Sequence, residues 1–373
     1  MEILLLASFN EVVSYIGYVL LAILILLIMI TVHEFGHYMA GKIFKFGIDE
    51  FAVGFGPKLF SKKRKSGEVF SIRAFPVGGF CAFKGEDEDC DDPSAFNNKK
   101  PWQRIIVLVS GALMNYILAV LIIMLMFGIY GQTALMSYKT TQTTEFAKEY
   151  CLQDRDVLLS VNGKNIYLTT DLMDAVEGRE KGEEVLFTVI RGGEKIDVPV
   201  KMRTDTNFKN LEDIQTLFDA IGIYYEIDDV GAITDAGLYS TGVRHGFFKT
   251  LGISIEYSFK LAGTIFTVIG QLITGALGIK SLGGTITTIS VTANAIKIGG
   301  ARYFLNMLSF IGVNLAVFNL LPIPALDGAR VVFTGIEWVR KKPVSRRVEG
   351  IIHAVGLVLL LLFSVLVDLQ RCI

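Results

Sequence analysis

Residues 12–32 read VVSYIGYVLLAILILLIMITV, a stretch long enough to cross a bilayer and free of charged side chains. In hydrocarbon every backbone N–H and C=O must be satisfied within the spanning structure, so a single run of this kind is either a helix or not in the membrane. Further membrane-length apolar runs follow at 105–129, 303–326 and 349–367. With 51% hydrophobic residues and a mean hydropathy of +0.48 the chain is too apolar for an ordinary soluble protein, yet its 20% charged residues require aqueous segments. A net charge of −1 excludes a strongly basic nucleic-acid binder, and no nucleic-acid partner is expected. These features predict a polytopic α-helical membrane protein with about four transmembrane helices.

Lysine and arginine set the expected orientation. Lys62, Lys63, Arg64 and Lys65 follow the first span, and Arg340, Lys341, Lys342, Arg346 and Arg347 follow the third, so both loops are expected to be cytoplasmic. Residues 131–244 carry more acidic than basic side chains, including Glu183, Glu184, Asp228 and Asp229, and are expected outside. Glu2 and Glu11, with no lysine or arginine beside them, do not resemble the start of a cleavable signal, so the first span is expected to be retained. The stretch Leu261–Ile279 is apolar but rich in Gly and Thr. A crossing there would place Asp327 on the opposite membrane face from the end of span one, so 245–300 is read as amphipathic or re-entrant helices on the outer leaflet. The expected organisation is 1–41, first span; 42–104, cytoplasmic loop; 105–130, second span; 131–244, outer domain and linker; 245–300, outer-leaflet helices; 301–339, third span; and 340–373, basic loop and fourth span.

The first span ends in His33, Glu34 and His37. Two imidazoles at i and i+4 fall on one helix face and can share one tetrahedral Zn²⁺, and a glutamate directly after the first can serve as general base toward a water activated there. Ionisable groups at the end of a membrane run are costly unless they have a function. His245 and His353 have no partner at ligand spacing, and His353, alone in an apolar helix, is read as packing or interface-lining. A catalytic zinc normally takes three protein ligands. Asp327, an isolated carboxylate in NLLPIPALDG at the expected depth of His37, is the candidate third, with Pro322 and Pro324 interrupting the helix before it. Cys81, Cys90, Cys151 and Cys372 lack C-x-x-C spacing and are expected to be free thiols.

Val69–Phe83, rich in β-branched and aromatic residues with Pro76, Gly78 and Gly79 at a bend, reads as a membrane-associated β-hairpin or small sheet. One reading is a plain surface hairpin. The other is an edge strand that pairs with an extended substrate, with Phe75 and Gly79 as candidate contacts. The acidic run Glu86–Pro93 reads as a solvated loop. Asp154–Val200 shows short apolar strands, an Asn162-Gly163 turn, a helix from Thr170 and a hairpin at Arg191-Gly192-Gly193. Over roughly 135–203 it resembles a PDZ domain, an α+β fold that captures extended peptides. It departs at Arg155-Asp156, where such domains commonly have Gly-Asp.

HEFGH in the first span, the PDZ-like insert and N-x-x-P-x-x-x-L-D-G in the third span together resemble the site-2 protease family of intramembrane zinc metalloproteases. The layout with one PDZ domain is similar to the bacterial enzymes that cut anti-sigma factors and remnant signal peptides. The resemblance implies zinc held by His33, His37 and Asp327, Glu34 as catalytic base, Asn319 handling substrate near the scissile bond, and Pro322 and Pro324 in a substrate-side loop. It also implies regulated intramembrane proteolysis of single-pass proteins already shortened by another protease. The location would be the bacterial cytoplasmic membrane, with the amino terminus and PDZ-like domain outside and the active site near the cytoplasmic face. The chain departs from relatives at Ser281–Ile286 (SLGGTI), where a Gly-Pro pair is common, and carries SGALMN at Ser110–Asn115 in the second span. Two alternatives stay open: a scaffold with a vestigial HEFGH, for which keeping both Glu34 and Asp327 would be needless, and a prenyl-protein type peptidase using Glu337 as third ligand.

Overall fold

The computed structural model describes residues 9–86, 91–141, 145–208, 213–228, 233–275, 278, 282–342 and 344–370. Glu2, Cys90, Asp229, Ser281, Cys372 and half of the acidic run (87–90) lie outside them. In chain order the helices are α1 (Phe9–Ile43), α2 (Pro101–Tyr130), α3 (Thr169–Val176), α4 (Ile214–Ile221), α5 (Phe247–Thr274), α6 (Thr285–Leu320), α7 (Asp327–Arg340) and α8 (Arg346–Gln370). The strands are β1 (Ile48–Lys63), β2 (Val69–Phe83), β3 (Gln132–Ser137), β4 (Asp156–Val161), β5 (Lys164–Asn165), β6 (Glu184–Arg191), β7 (Glu194–Lys201), β8 (Tyr225–Ile227), β9 (Ile233–Ala236) and β10 (Leu238–Val243).

Among the described residues, four helices, α1, α2, α6 and α8, are long and apolar enough to cross a membrane, so the chain is a polytopic membrane protein that also carries β-sheets. Helix α5 is not among them. The third span departs from its expected bounds. At about 1.5 Å per residue, α6 would be far longer than a hydrocarbon core of about 30 Å if it were straight. Gly300, at φ 58° and ψ −141°, breaks it, leaving a segment of membrane length after the break. The span then stops at Leu320 rather than continuing to 339, because Pro322 and Pro324 cannot supply helical N–H groups and residues 321–326 form turns before α7 begins. At the other end of α6, Asp368 of α8 accepts the N–H groups of Ile286 (2.9 Å) and Thr287 (3.0 Å), capping the helix from a distant part of the sequence.

The chain divides into two compact units: Met1–Ile123 with Ser258–Gly270 and Gly278–Ile373, and Met124–Tyr257 with Gln271–Leu277. In the first, Ile25, Met29, Ile122, Leu308 and Ile311 form the core shared by α1, α2 and α6. Gly36 on α1 packs so closely on the Ser110 carbonyl of α2 that no side chain fits there.

Of the two forms expected for Val69–Phe83, a hairpin or a small sheet, the structure has the small sheet. The two arms of Val69–Phe83 do not pair with each other: Glu50–Val53 lies between them, matching Val69–Ile72 on one side and Gly79–Ala82 on the other. Lys58–Lys63 then pairs with the outer side of the first arm. This requires β1 to bend sharply, which Gly54 and Gly56, both at φ 86°, allow. Glu50 ties the layers together, accepting from Ser71 (2.6 Å), Arg73 (2.8 Å) and Lys58 (3.0 Å). Burial raises its carboxyl pKa, but these donors outweigh burial and hold it down at about 2.

The second unit is a six-stranded sheet of order β10-β3-β4-β6-β7 with β5 on β4. Leu158, Val161, Leu172, Phe187, Val198 and Leu217 pack its core beneath α3 and α4. Asp171 caps α3 by accepting the N–H groups of Tyr167 (2.8 Å) and Leu168 (2.9 Å). Buried Asp156 takes a two-pronged contact from Arg191, at 2.8 Å from Nε and 2.7 Å from a terminal nitrogen.

Candidate active site

One helical turn on α1 presents His33 and His37 on the same face, both 7% exposed, and the first residue of α7 presents Asp327 to them. His33 Nε2 lies 2.9 Å and His37 Nε2 3.3 Å from Asp327 Oδ2, and the two imidazole nitrogens are 3.1 Å apart. Ligand bonds of about 2.0–2.1 Å in a tetrahedron would put donor atoms about 3.3 Å apart, so this triangle suits a zinc ion with little adjustment. The donor chemistry also suits it: His37 Nδ1 donates to the Val107 carbonyl (2.8 Å), which leaves the Nε2 lone pair facing the other two donors.

Backbone fit makes the triangle possible. A Cβ on Gly111 of α2 would collide with His37 Nε2 and His33 Cε1, so only glycine lets α2 pass over the imidazoles. A Cβ on Gly328 would collide with the backbone of Leu320 and Leu321, where the loop doubles back onto the end of α6. That loop holds Ala325 at φ 79°, and His353 of α8 accepts the Ala325 N–H on its Nδ1 (3.0 Å). From the sequence His353 reads as packing or interface-lining. The structure makes it a support for the Asp327 loop, a relation that no spacing in the sequence signals.

Glu34 lies between two cavities. One, about 470 Å³, is lined by Cys81, Glu86, Arg330 and His353 as well as Glu34 and Asp327. The other, about 230 Å³, is lined by His33, Glu34, Asn115, Leu315, Asn319 and Asp327. Gly79 places the second arm of β2 against Glu34, 3.7 Å from its Cγ to where a Cβ would stand, and the Cys81 backbone N–H bonds the Glu34 carboxylate. Burial, then the charges of Glu34 and Glu86, pushes the Cys81 thiol above its usual range. Cys81 and Cys151 are free.

Of the residues singled out from the sequence, His33, Glu34, His37, Asp327, Asn319 and Gly79 come together. Phe75 does not: it pairs with Phe55, is 62% exposed and lines neither cavity. Pro322 and Pro324 also line neither cavity; Pro324 packs at Gly356 of α8 and shapes the loop. Glu337 accepts both contacts of Arg104 (2.9 and 3.0 Å) and is not in the His33, His37 and Asp327 cluster, which removes the support for it as a third ligand.

The sequence profile of Peptidase family M50 matches residues 21–363, and the chain belongs to that family. A relative from Clostridium perfringens is 30% identical over 359 residues, covering 95% of this chain and 98% of its own length. Relatives from Clostridium acetobutylicum and Agrobacterium fabrum are each 28% identical, covering 94% and 92% of this chain and 96% and 93% of theirs. All three are named as zinc metalloproteases. The chain is a zinc metalloprotease with Zn²⁺ as its cofactor.

Proposed function

We propose that this enzyme hydrolyses peptide bonds within transmembrane segments of single-pass proteins that another protease has already shortened, the class that includes anti-sigma factors and remnant signal peptides. The reading is carried by one observation: the triangle of His33, His37 and Asp327 sits at the end of a helix whose preceding residues 12–32 carry no charge. The membrane is the bacterial cytoplasmic membrane, with the amino terminus and the 131–244 segment outside and the site near the cytoplasmic face. The basic loops after α1 and α7 support this orientation.

His33, His37 and Asp327 would hold the zinc, which when bound would supply Lewis-acid chemistry toward the scissile carbonyl and the attacking water. Glu34 takes the proton from that water and passes it to the leaving amine. A substrate helix hides its carbonyls in i to i−4 bonds and must unwind before attack. The Gly79–Phe83 arm runs at the edge of its sheet beside Glu34, which suits it to receive the extended product by strand addition. Asn319 handles substrate from the second cavity. The 131–244 segment, with its PDZ-like sequence pattern, captures extended peptide or restricts what enters.

The test is cleavage of a pre-trimmed single-span substrate by purified wild type and by Glu34→Gln, with bound zinc measured in both. Zinc retained in the variant with cleavage reduced about 10²–10⁴-fold is the expected result. Zinc retained in both with cutting confined to exposed loops would refute intramembrane hydrolysis.

A further inference from the structure

Asn115 is fully buried in the apolar helix α2, and neither its amide nitrogen nor its oxygen has a hydrogen-bond partner among the described residues. A buried carboxamide with donor and acceptor both unpaired is costly to a fold and is rare in native structures. Asn115 is also not remote from the chemistry: it lines the 230 Å³ cavity shared with His33, Glu34, Asn319 and Asp327. A span facing lipid or packing on another helix has no use for an amide here, because a leucine of similar size would pack without the desolvation penalty.

We propose that the Asn115 carboxamide binds the backbone N–H and C=O of one extended residue of the unwound substrate inside this cavity. The argument rests on the intramembrane reading above. When a substrate helix opens, each residue loses its i to i−4 partners and, once extended, presents its N–H and C=O to the same side in a water-poor site. A carboxamide is the side chain that complements both: its NH₂ donates to the substrate carbonyl and its oxygen accepts the substrate N–H. Because backbone is common to all residues, such a contact holds an extended segment without selecting its sequence. Asn115 is a substrate-binding residue, with Glu34 keeping the proton transfer.

The experiment compares full-length wild type, Asn115→Leu and Asn115→Ser on one pre-trimmed single-span substrate. It reads KM and kcat, bound zinc, thermal midpoint, and substrate affinity in the Glu34→Gln background. Asn115→Leu is expected to keep its zinc, to melt at or above the wild-type midpoint because two unpaired polar atoms are gone, and to show a KM raised and a substrate affinity weakened at least tenfold. Asn115→Ser, which retains one donor and acceptor, falls between. Unchanged KM and affinity in Asn115→Leu overturns the proposal. So does a drop in midpoint of both variants in step with their loss of cleavage, the mark of an amide needed only by the fold. A wild type that cuts no trimmed span overturns the functional reading, and the proposal with it.

Discussion

Arg155 sits at φ 70°, in the left-handed region that glycine enters freely and a branched side chain does not. The chain takes a glycine-favouring backbone at this position with an arginine. Asp156, next to it, needs that turn: its buried carboxylate accepts the Gln153 N–H at 2.9 Å while holding Arg191. Arg155→Gly should therefore stabilise the β4–β6 region by about 1 kcal/mol. Hydrogen exchange at Val157–Val161 would report this as slowing of about fivefold, whereas Arg191→Met, which strands a buried carboxylate, should speed it. At this scale the zinc-ligand motif was the most legible part of the chain, because i and i+4 on a helix is a local relation. Asn115 and His353 were opaque as single letters, since what sets them apart is the presence or absence of a partner.

Between elements, glycine decides how closely backbones approach. Gly36 and Gly111 let α1 and α2 pack at the metal-binding turn, and the side chain that Gly111→Ala would add points at both imidazoles. This variant is expected to fold yet bind zinc at least tenfold more weakly, measured by competition with a chromogenic chelator. Unchanged zinc affinity would show that α2 can shift away. The sheet of β1 and β2 shows why elements were only half legible. The composition of Val69–Phe83 signalled extended structure and its bend, but the partner strand Ile48–Lys63 gave no separate signal. Its pairing depends on bends at Gly54 and Gly56 and on contacts with two arms at once. Helix α6 is similar: its hydropathy was plain, whereas the break at Gly300 and the stop at Leu320 became clear only once the backbone was traced.

For the molecule as a whole, the site is split in sequence, with His33 and Asp327 separated by 294 positions. The 131–244 segment is inserted between the two halves, which motivates its proposed part in admitting only shortened substrates. Intact enzyme is expected to cut a trimmed substrate at least tenfold faster than the same span carrying a bulky folded outer domain. Equal rates in a side-by-side assay would remove the filtering role. The sequence by itself determined that the chain enters a membrane, which four runs do so, and which three side chains could meet at a metal. Hydrocarbon enforces helix over any sufficiently apolar run, and ligand spacing on a helix is periodic. Only the tertiary structure decided that Glu34 lies between two cavities, that the Gly79–Phe83 arm is the edge beside it, and that the Asn115 amide is left unpaired within reach of the same site. Those are relations among backbones distant in sequence, set by close packing at Gly36, Gly111 and Gly328, where the absence of a side chain is the information.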